Sequence, residues 1–410
     1  MAYYFHRSIL LTRFITHQVM FSQPQKFAIR NSNPTVIIGK LVVVSIISLI
    51  LVDFFYAEYQ NWYNEHLLNK TVEKDTQFKI DILDDEFIPQ PLIIDRLKKI
   101  FQPNRNQSYY HVIYGEYGTG KTTLTKQAIG QGVIYVEIPA DAENIDDFGI
   151  VFGKSLNFAF EKHISFTAQL IKKILGDTNT LEAFKRTGAV YKRKHNKPPV
   201  IVYDNIAKLI NVNSKVFDTL QNDAKMNAND RKYIAVFINS EDLVSKRMES
   251  RSSSWSRVDK PVMEISDFSK EESMKYLVEK RKINKKEAKK LYELVGGRIV
   301  ELKSVADKFL AEQTFEVIEQ QILTEVKKKF NSAKLLQNQI YHEYGKDVIH
   351  TLLNFKEIDI NLFKKYFKDE SVNEVLKANV FAYHPSRDTV TFQSQSVMYF
   401  IQKNFSIFTK

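Results

Sequence analysis

The chain has 410 residues, 44% hydrophobic, 12% aromatic and 26% charged, which suits two or three folded domains and excludes general disorder or a collagen-like repeat. It holds no cysteine, so disulfide scaffolds, thiol catalysis and cysteine-ligated metals are excluded. Its 59 Lys and Arg against 48 Asp and Glu give a net charge of +11, which favours anionic partners, and its nine His have no metal-binding spacing.

Residues 1–34 contain no acid but carry Arg7, Arg13, Lys26 and Arg30 among apolar residues such as Ile9, Leu10 and Phe14. That composition fits a mitochondrial targeting segment or a plain basic tail. Residues 35–57 form an apolar run with Lys40 and Asp53 near the ends of its uncharged core and Phe54, Phe55 and Tyr56 beyond it. Such a run predicts one transmembrane helix anchored in a lipid bilayer, hence a single-pass membrane protein, with the mitochondrial inner membrane as the first expectation. The alternative is a buried element of an ordinary domain. Residues 58–86 read as a linker.

Ile93, Ile94, Leu97 and Ile100 recur at helical spacing before Pro103 and Asn104 end the element. A β-type run, 109–114, then leads into Gly115, Glu116, Tyr117, Gly118, Thr119, Gly120, Lys121, Thr122 and Thr123, and a helix follows. This is G-x-x-x-x-G-K-T between a strand and a helix, the context in which backbone N–H groups and a helix N-terminus cradle a phosphate. Lys121 is expected to reach the β and γ phosphates of ATP, and Thr122 to offer its hydroxyl to Mg2+. Four β-formers run into Asp204, the expected magnesium-orienting carboxylate. The next residue is Asn205, where ATPases of this type usually carry a glutamate. An amide can hold a water but cannot accept its proton, so hydrolysis should be slow. A further strand, 233–238, ends at Asn239, which is placed to contact the γ-phosphate or its water, or serves only as a turn former.

Strands alternating with helices predict an α/β fold, a three-layer P-loop NTPase with a parallel sheet over 87–265. The order of P-loop, Asp-ended strand and Asn-ended strand resembles the AAA+ and STAND ATPases, in the archaeal-ATPase-like branch. Arg251 and Arg257 before the strand 262–265, the acidic segment from Ser269, and the turn at Gly296 and Gly297 match that branch. The resemblance implies a helical lid over 266–315, in which Arg298 senses the γ-phosphate. It also implies that Arg257 or Arg251 reaches into a neighbour's site in a homo-oligomer; each arginine could equally be a solvated surface residue.

In the C-terminal quarter, 347–353, 359–367 and 371–378 read as three short helices followed by a hairpin, 380–383 with 389–392. With the family resemblance this implies a winged-helix-like domain over 316–410. The third helix offers Asn373 and Lys377 beside Glu374, a poor base-reading set, so a protein client is favoured over nucleic acid. The expected protein is a membrane-anchored, ATP-driven switch or remodelling factor. The alternatives are a scaffold that binds ATP without hydrolysing it and a nucleic-acid-binding ATPase at an organellar membrane.

Overall fold

Four apolar runs build the centre of the nucleotide-binding half. In this computed structural model, which describes residues 62–63, 65–74, 87–138, 151–156, 179–240 and 242–408, they form β1 (His111–Tyr114), β2 (Val133–Glu137), β3 (Val200–Asp204) and β4 (Ile234–Asn239). With the short β5 (Met263–Glu264) they make a parallel sheet in the order β2-β3-β4-β1-β5. β1, β3 and β4 are buried along their whole length, which is why they read as continuous hydrophobic runs rather than alternating ones. The alternation appears instead in the two faces. Val112, Tyr114, Val136 and Tyr203 enter one apolar cluster, and Ile113, Tyr135, Val202 and Ile238 the other. Each such buried side chain contributes about 1.5–3 kcal/mol of transfer free energy.

Helices cover both faces. α1 (Pro91–Phe101) starts with proline, whose missing N–H costs nothing there, and buries Leu97 and Phe101 against the second cluster. α2 (Lys121–Ala128) follows the glycine loop. α3 (Asn179–His195), α4 (Ala207–Asn229), α5 (Asp242–Ser250) and the short α6 (Ser252–Trp255) complete the layers.

After β5 the chain becomes helical. α7 (Lys270–Lys275) begins with a capping box: Ser269 accepts from Glu272 N while the Glu272 carboxylate accepts from Ser269 N. α8 (Lys285–Val295), α9 (Ile299–Leu310) and α10 (Phe315–Ser332) follow. Then come α11 (His342–Phe355), β6 (Ile358–Asp359), α12 (Ile360–Lys377), β7 (Phe381–His384), β8 (Thr389–Phe392), α13 (Gln395–Lys403) and α14 (Phe405–Phe408). The three strands make an antiparallel sheet in the order β6-β8-β7. One apolar cluster runs from Phe268 through Leu291, Phe330 and Phe363 to Phe408, so the helices after β5 and the C-terminal elements share a core.

Two expectations change. Where two helices were expected over 359–367 and 371–378, a single helix runs from Ile360 to Lys377, because no glycine or proline interrupts the sequence between them. The expectation of a single-pass protein of the mitochondrial inner membrane is also corrected: among the described residues no helix is long and apolar enough to cross a membrane. The run 35–57 on which it rested lies outside the described residues, as does the basic segment 1–34.

The β7–β8 hairpin docks on the sheet's edge. His384 Nδ1 lies 2.7 Å from Glu264 Oε1, and Ser386 Oγ donates to Glu264 Oε2 at 2.8 Å. These partners hold the Glu264 carboxyl below its usual range despite burial, which works the other way. Beside them Tyr383 Oη donates to Asp388 Oδ1 at 2.7 Å and lies 3.5 Å from Glu249 Oε2 on α5. Burial, and then the charge of Asp388, push Glu249 up to about 7.

Candidate nucleotide site

The loop 115–120 leaves the C-terminal end of β1 and turns into α2. Gly118 (φ 84°) and Gly120 (φ 88°) occupy the left-handed region that side chains resist. At Gly115 the constraint is space, since a Cβ would stand 2.3 Å from the Ile265 carbonyl oxygen. Lys121, the first residue of α2, is 6% exposed, and its Nζ donates to the Glu116 carbonyl at 2.7 Å. Burial lowers the Lys121 ammonium to about 8, partly offset by the carboxylates of Glu116 and Asp204. Thr119 Oγ1 donates to the same carbonyl at 3.0 Å. Tyr117 is exposed, and Thr123 is half-buried in the first turn of α2.

Asp204 ends β3 and is 3% exposed. Thr122 Oγ1 donates to its Oδ2 at 2.8 Å, and the backbone N–H of Asn205 to its Oδ1 at 2.7 Å. Asn205 adopts φ 61°, a conformation asparagine tolerates well, and its Nδ2 donates to the Ile138 carbonyl at 3.1 Å. Register sets Asn239 beside Tyr114, the residue before the loop. Asn239 is 1% exposed; its Nδ2 lies 3.5 Å from Ser245 Oγ, and its buried Oδ1 has no partner. A buried amide oxygen without a donor is costly, and a phosphate-bound water would satisfy it.

Arg298 opens α9 and is 4% exposed. Its Nε and Nη2 donate to Asp267 at 3.0 and 3.3 Å, and Nη2 also to the Gln393 carbonyl at 2.8 Å, while Nη1 is buried without a partner. Burial opposes its charge, but Asp267 keeps the guanidinium above its ordinary range. The turn at Gly296 and Gly297 seats this segment: Phe268 N donates to the Gly297 carbonyl at 2.9 Å. Val300 N, one turn of chain later, donates to the Gly118 carbonyl at 3.3 Å. The segment carrying Arg298 and the loop therefore face each other.

The remaining arginines lie elsewhere. Arg257 is half-buried where its carbonyl accepts from Tyr110 N, before β1 and thus at the sheet end opposite the loop. It does not join Lys121 and Asp204 within this chain. Arg251 Nη1 pairs with Asp218 Oδ2 at 3.0 Å, and Arg247 shares that carboxylate.

Three participants escaped the sequence. Tyr135 on β2 donates from its hydroxyl to Asp204 Oδ2 at 2.5 Å. Asp267 anchors Arg298. Gln393, 6% exposed between β8 and α13, presents its Nε2 3.4 Å from Glu116 Oε2 and its Oε1 3.5 Å from Lys329 Nζ. Glu116 takes a further hydrogen bond from Tyr114 Oη. None carried a signal in the sequence: Tyr135 reads as an apolar strand residue until β2 pairs with β3, and Asp267 and Gln393 sit in unremarkable polar stretches.

A family model described as "ATPase domain predominantly from Archaea" matches residues 92–305. No curated protein sequence matches the chain. Among solved structures it is similar to the ORC2 protein of Aeropyrum pernix in ADPNP–ADP complexes, at 12% identity and a TM-score of 0.46, covering 80% of this chain and 98% of that one. It is also similar to Cdc6p of Pyrobaculum aerophilum, at 12% identity and a TM-score of 0.39, covering 82% and 98%. The AMPPCP-bound DnaA of Aquifex aeolicus is similar at 14% identity and a TM-score of 0.35, covering 72% and 87%.

Proposed function

The chain belongs to the family of ATPase domains found predominantly in Archaea, and from that premise we propose that it binds ATP with Mg2+ at residues 115–123 as a nucleotide-driven switch. The observation that carries the reading is the 2.8 Å bond from Thr122 Oγ1 to Asp204 Oδ2. It joins the end of the phosphate loop to a buried carboxylate 82 residues away, the pair that would hold the ion. The two orphaned polar atoms facing this region, Asn239 Oδ1 and Arg298 Nη1, fit the same ligand. The ion would neutralise charge between the phosphates. Lys121 and the loop N–H groups bind the β and γ phosphates, Asn239 orients a water, and Arg298 turns from Asp267 towards the γ-phosphate.

That turn costs Arg298 its bond to the Gln393 carbonyl, so the C-terminal elements of the region 316–410 register the change. They are proposed to act as a winged-helix-like module towards a protein client. In a homo-oligomer Arg257, remote from its own loop, is free to serve a neighbour's site.

Asn205 sets the rate. Its Nδ2 donates to the Ile138 carbonyl, and an amide cannot take a proton, so turnover is slow. The test is steady-state ATP turnover by the full chain, by Lys121→Ala and by Asn205→Glu. The expected results are slow turnover in the natural chain, none with Lys121→Ala, and a gain of about 100-fold with Asn205→Glu. Turnover that survives in Lys121→Ala sinks the reading. A second reading, nucleic-acid binding, is favoured only by the +11 charge; affinity for DNA that fails to fall steeply with salt counts against it.

A further inference from the structure

The two oxygens of Asp204 are not equivalent. Oδ1 accepts one hydrogen bond, from the Asn205 N–H at 2.7 Å. Oδ2 accepts two, from Thr122 Oγ1 at 2.8 Å and from Tyr135 Oη at 2.5 Å. A carboxylate oxygen has about two lone-pair sites, so Oδ2 is full. Tyr135 is itself held firmly. Its ring lies in the apolar cluster beneath α2, Lys126 Nζ sits 5.4 Å from the ring centroid, and Lys126 in turn pairs with Glu137 at 2.7 Å. A carboxylate oxygen can only accept, so the phenol is the donor in this bond.

From this geometry we infer that Tyr135 is a specificity-determining residue of the nucleotide site, one that selects Mg2+ over larger divalent cations by closing Oδ2 of Asp204 to direct coordination. The inference rests on the MgATP reading above. The physical reason lies in the ions. Mg2+ gives up its waters reluctantly and accepts a carboxylate that meets it through a water. Ca2+ is larger, takes six to eight oxygens and gains from a carboxylate bound directly, often through both oxygens. With Oδ2 filled, the bidentate mode is unavailable unless the tyrosine or threonine bond breaks. Mg2+ loses nothing by this arrangement and gains a carboxylate already oriented towards Thr122.

The experiment uses the full chain and a fluorescent ATP analogue, with the metal concentration for half-maximal nucleotide binding as the readout. Mg2+ and Ca2+ are compared in the natural chain and in Tyr135→Phe. In the natural chain Mg2+ should be the better ion by about tenfold. In Tyr135→Phe the Mg2+ requirement should rise by about tenfold, the usual effect of removing a residue that orients a metal ligand. The Ca2+ requirement should stay level or fall, so that the preference disappears. The thermal midpoint without metal or nucleotide shows whether the variant is folded. An unchanged Mg2+-to-Ca2+ ratio in folded Tyr135→Phe overturns the inference while leaving the nucleotide reading intact. Equal requirements for the two ions in the natural chain overturn it without recourse to the variant. A natural chain that takes up no nucleotide with either ion defeats the MgATP reading, and the inference with it.

Discussion

The two sides of the nucleotide site are held by different kinds of bond. On the loop side, Lys121 and Thr119 bond to Glu116 five and three residues away, so most of the cradle's own bonds are local, while Thr122 ties its end to Asp204 across 82 residues. On the lid side, Arg298 bonds to Asp267 and Gln393 across 31 and 95 residues, and Gln393 reaches Glu116 across 277. A locally closed loop keeps its shape whether or not a ligand is present. A set of long-range bonds to one arginine holds only while the elements carrying them stay docked. Under the proposed function, the loop side supplies affinity and the segment carrying Arg298 is where binding is converted into movement.

The contrast is most severely tested at the lid's seat. A Cβ at Gly297 would stand 1.9 Å from the Phe268 carbonyl oxygen, a backbone atom that cannot step aside. Gly297→Ala should cost about 3 kcal/mol or more of stability by thermal or urea unfolding, as overpacking against backbone does. A neutral outcome would mean that the lid is not anchored there. Next in size is Arg298→Ala. Since Arg298 is assigned to the γ-phosphate, the preference for ATP over ADP should drop by about tenfold while ADP affinity holds, the worth of one charge-assisted contact. Equal losses for both nucleotides would move Arg298 to the shared phosphates. The smallest effect concerns the docked hairpin. Glu249, about 7 in the folded protein against an ordinary 4.5, binds its proton more tightly when folded. Stability therefore falls as pH rises from about 4.5 to about 7 and is level above that. Glu249→Gln removes this dependence. Discounted for partial exposure, it should stabilise the protein by about 1 kcal/mol at pH 8 and little at pH 5. A difference independent of pH would assign the effect to packing instead.

The same division explains what could be read from the amino-acid text. The loop residues Gly115 to Thr123 are contiguous, and the strand ending at Asp204 announces itself by four β-formers, so both were legible. The sheet and its parallel sense followed from the alternation of strands and helices. Asn239 could be named, but its neighbour Tyr114 emerges only when strand order sets β4 beside β1. Tyr135 looked like one more apolar strand residue, because the use of its hydroxyl depends on β2 lying beside β3. Gln393 was out of reach altogether: a glutamine between a strand and a helix carries no mark of the arginine it will meet. The helix Ile360–Lys377 reads from the sequence as two, although no glycine or proline lies between the halves.

The span of 277 residues between Glu116 and Gln393 also orders events during synthesis. At about 5–20 residues per second, the ribosome makes the phosphate loop roughly 14 to 55 s before it makes the glutamine that contacts it. In that interval the newborn loop and its strand have no C-terminal partner. Arg298 itself is made 95 residues before Gln393, so for roughly 5 to 19 s at that pace it exists without the carbonyl that later restrains it. Under the proposed function, nucleotide can therefore enter before the contact that would report on it exists.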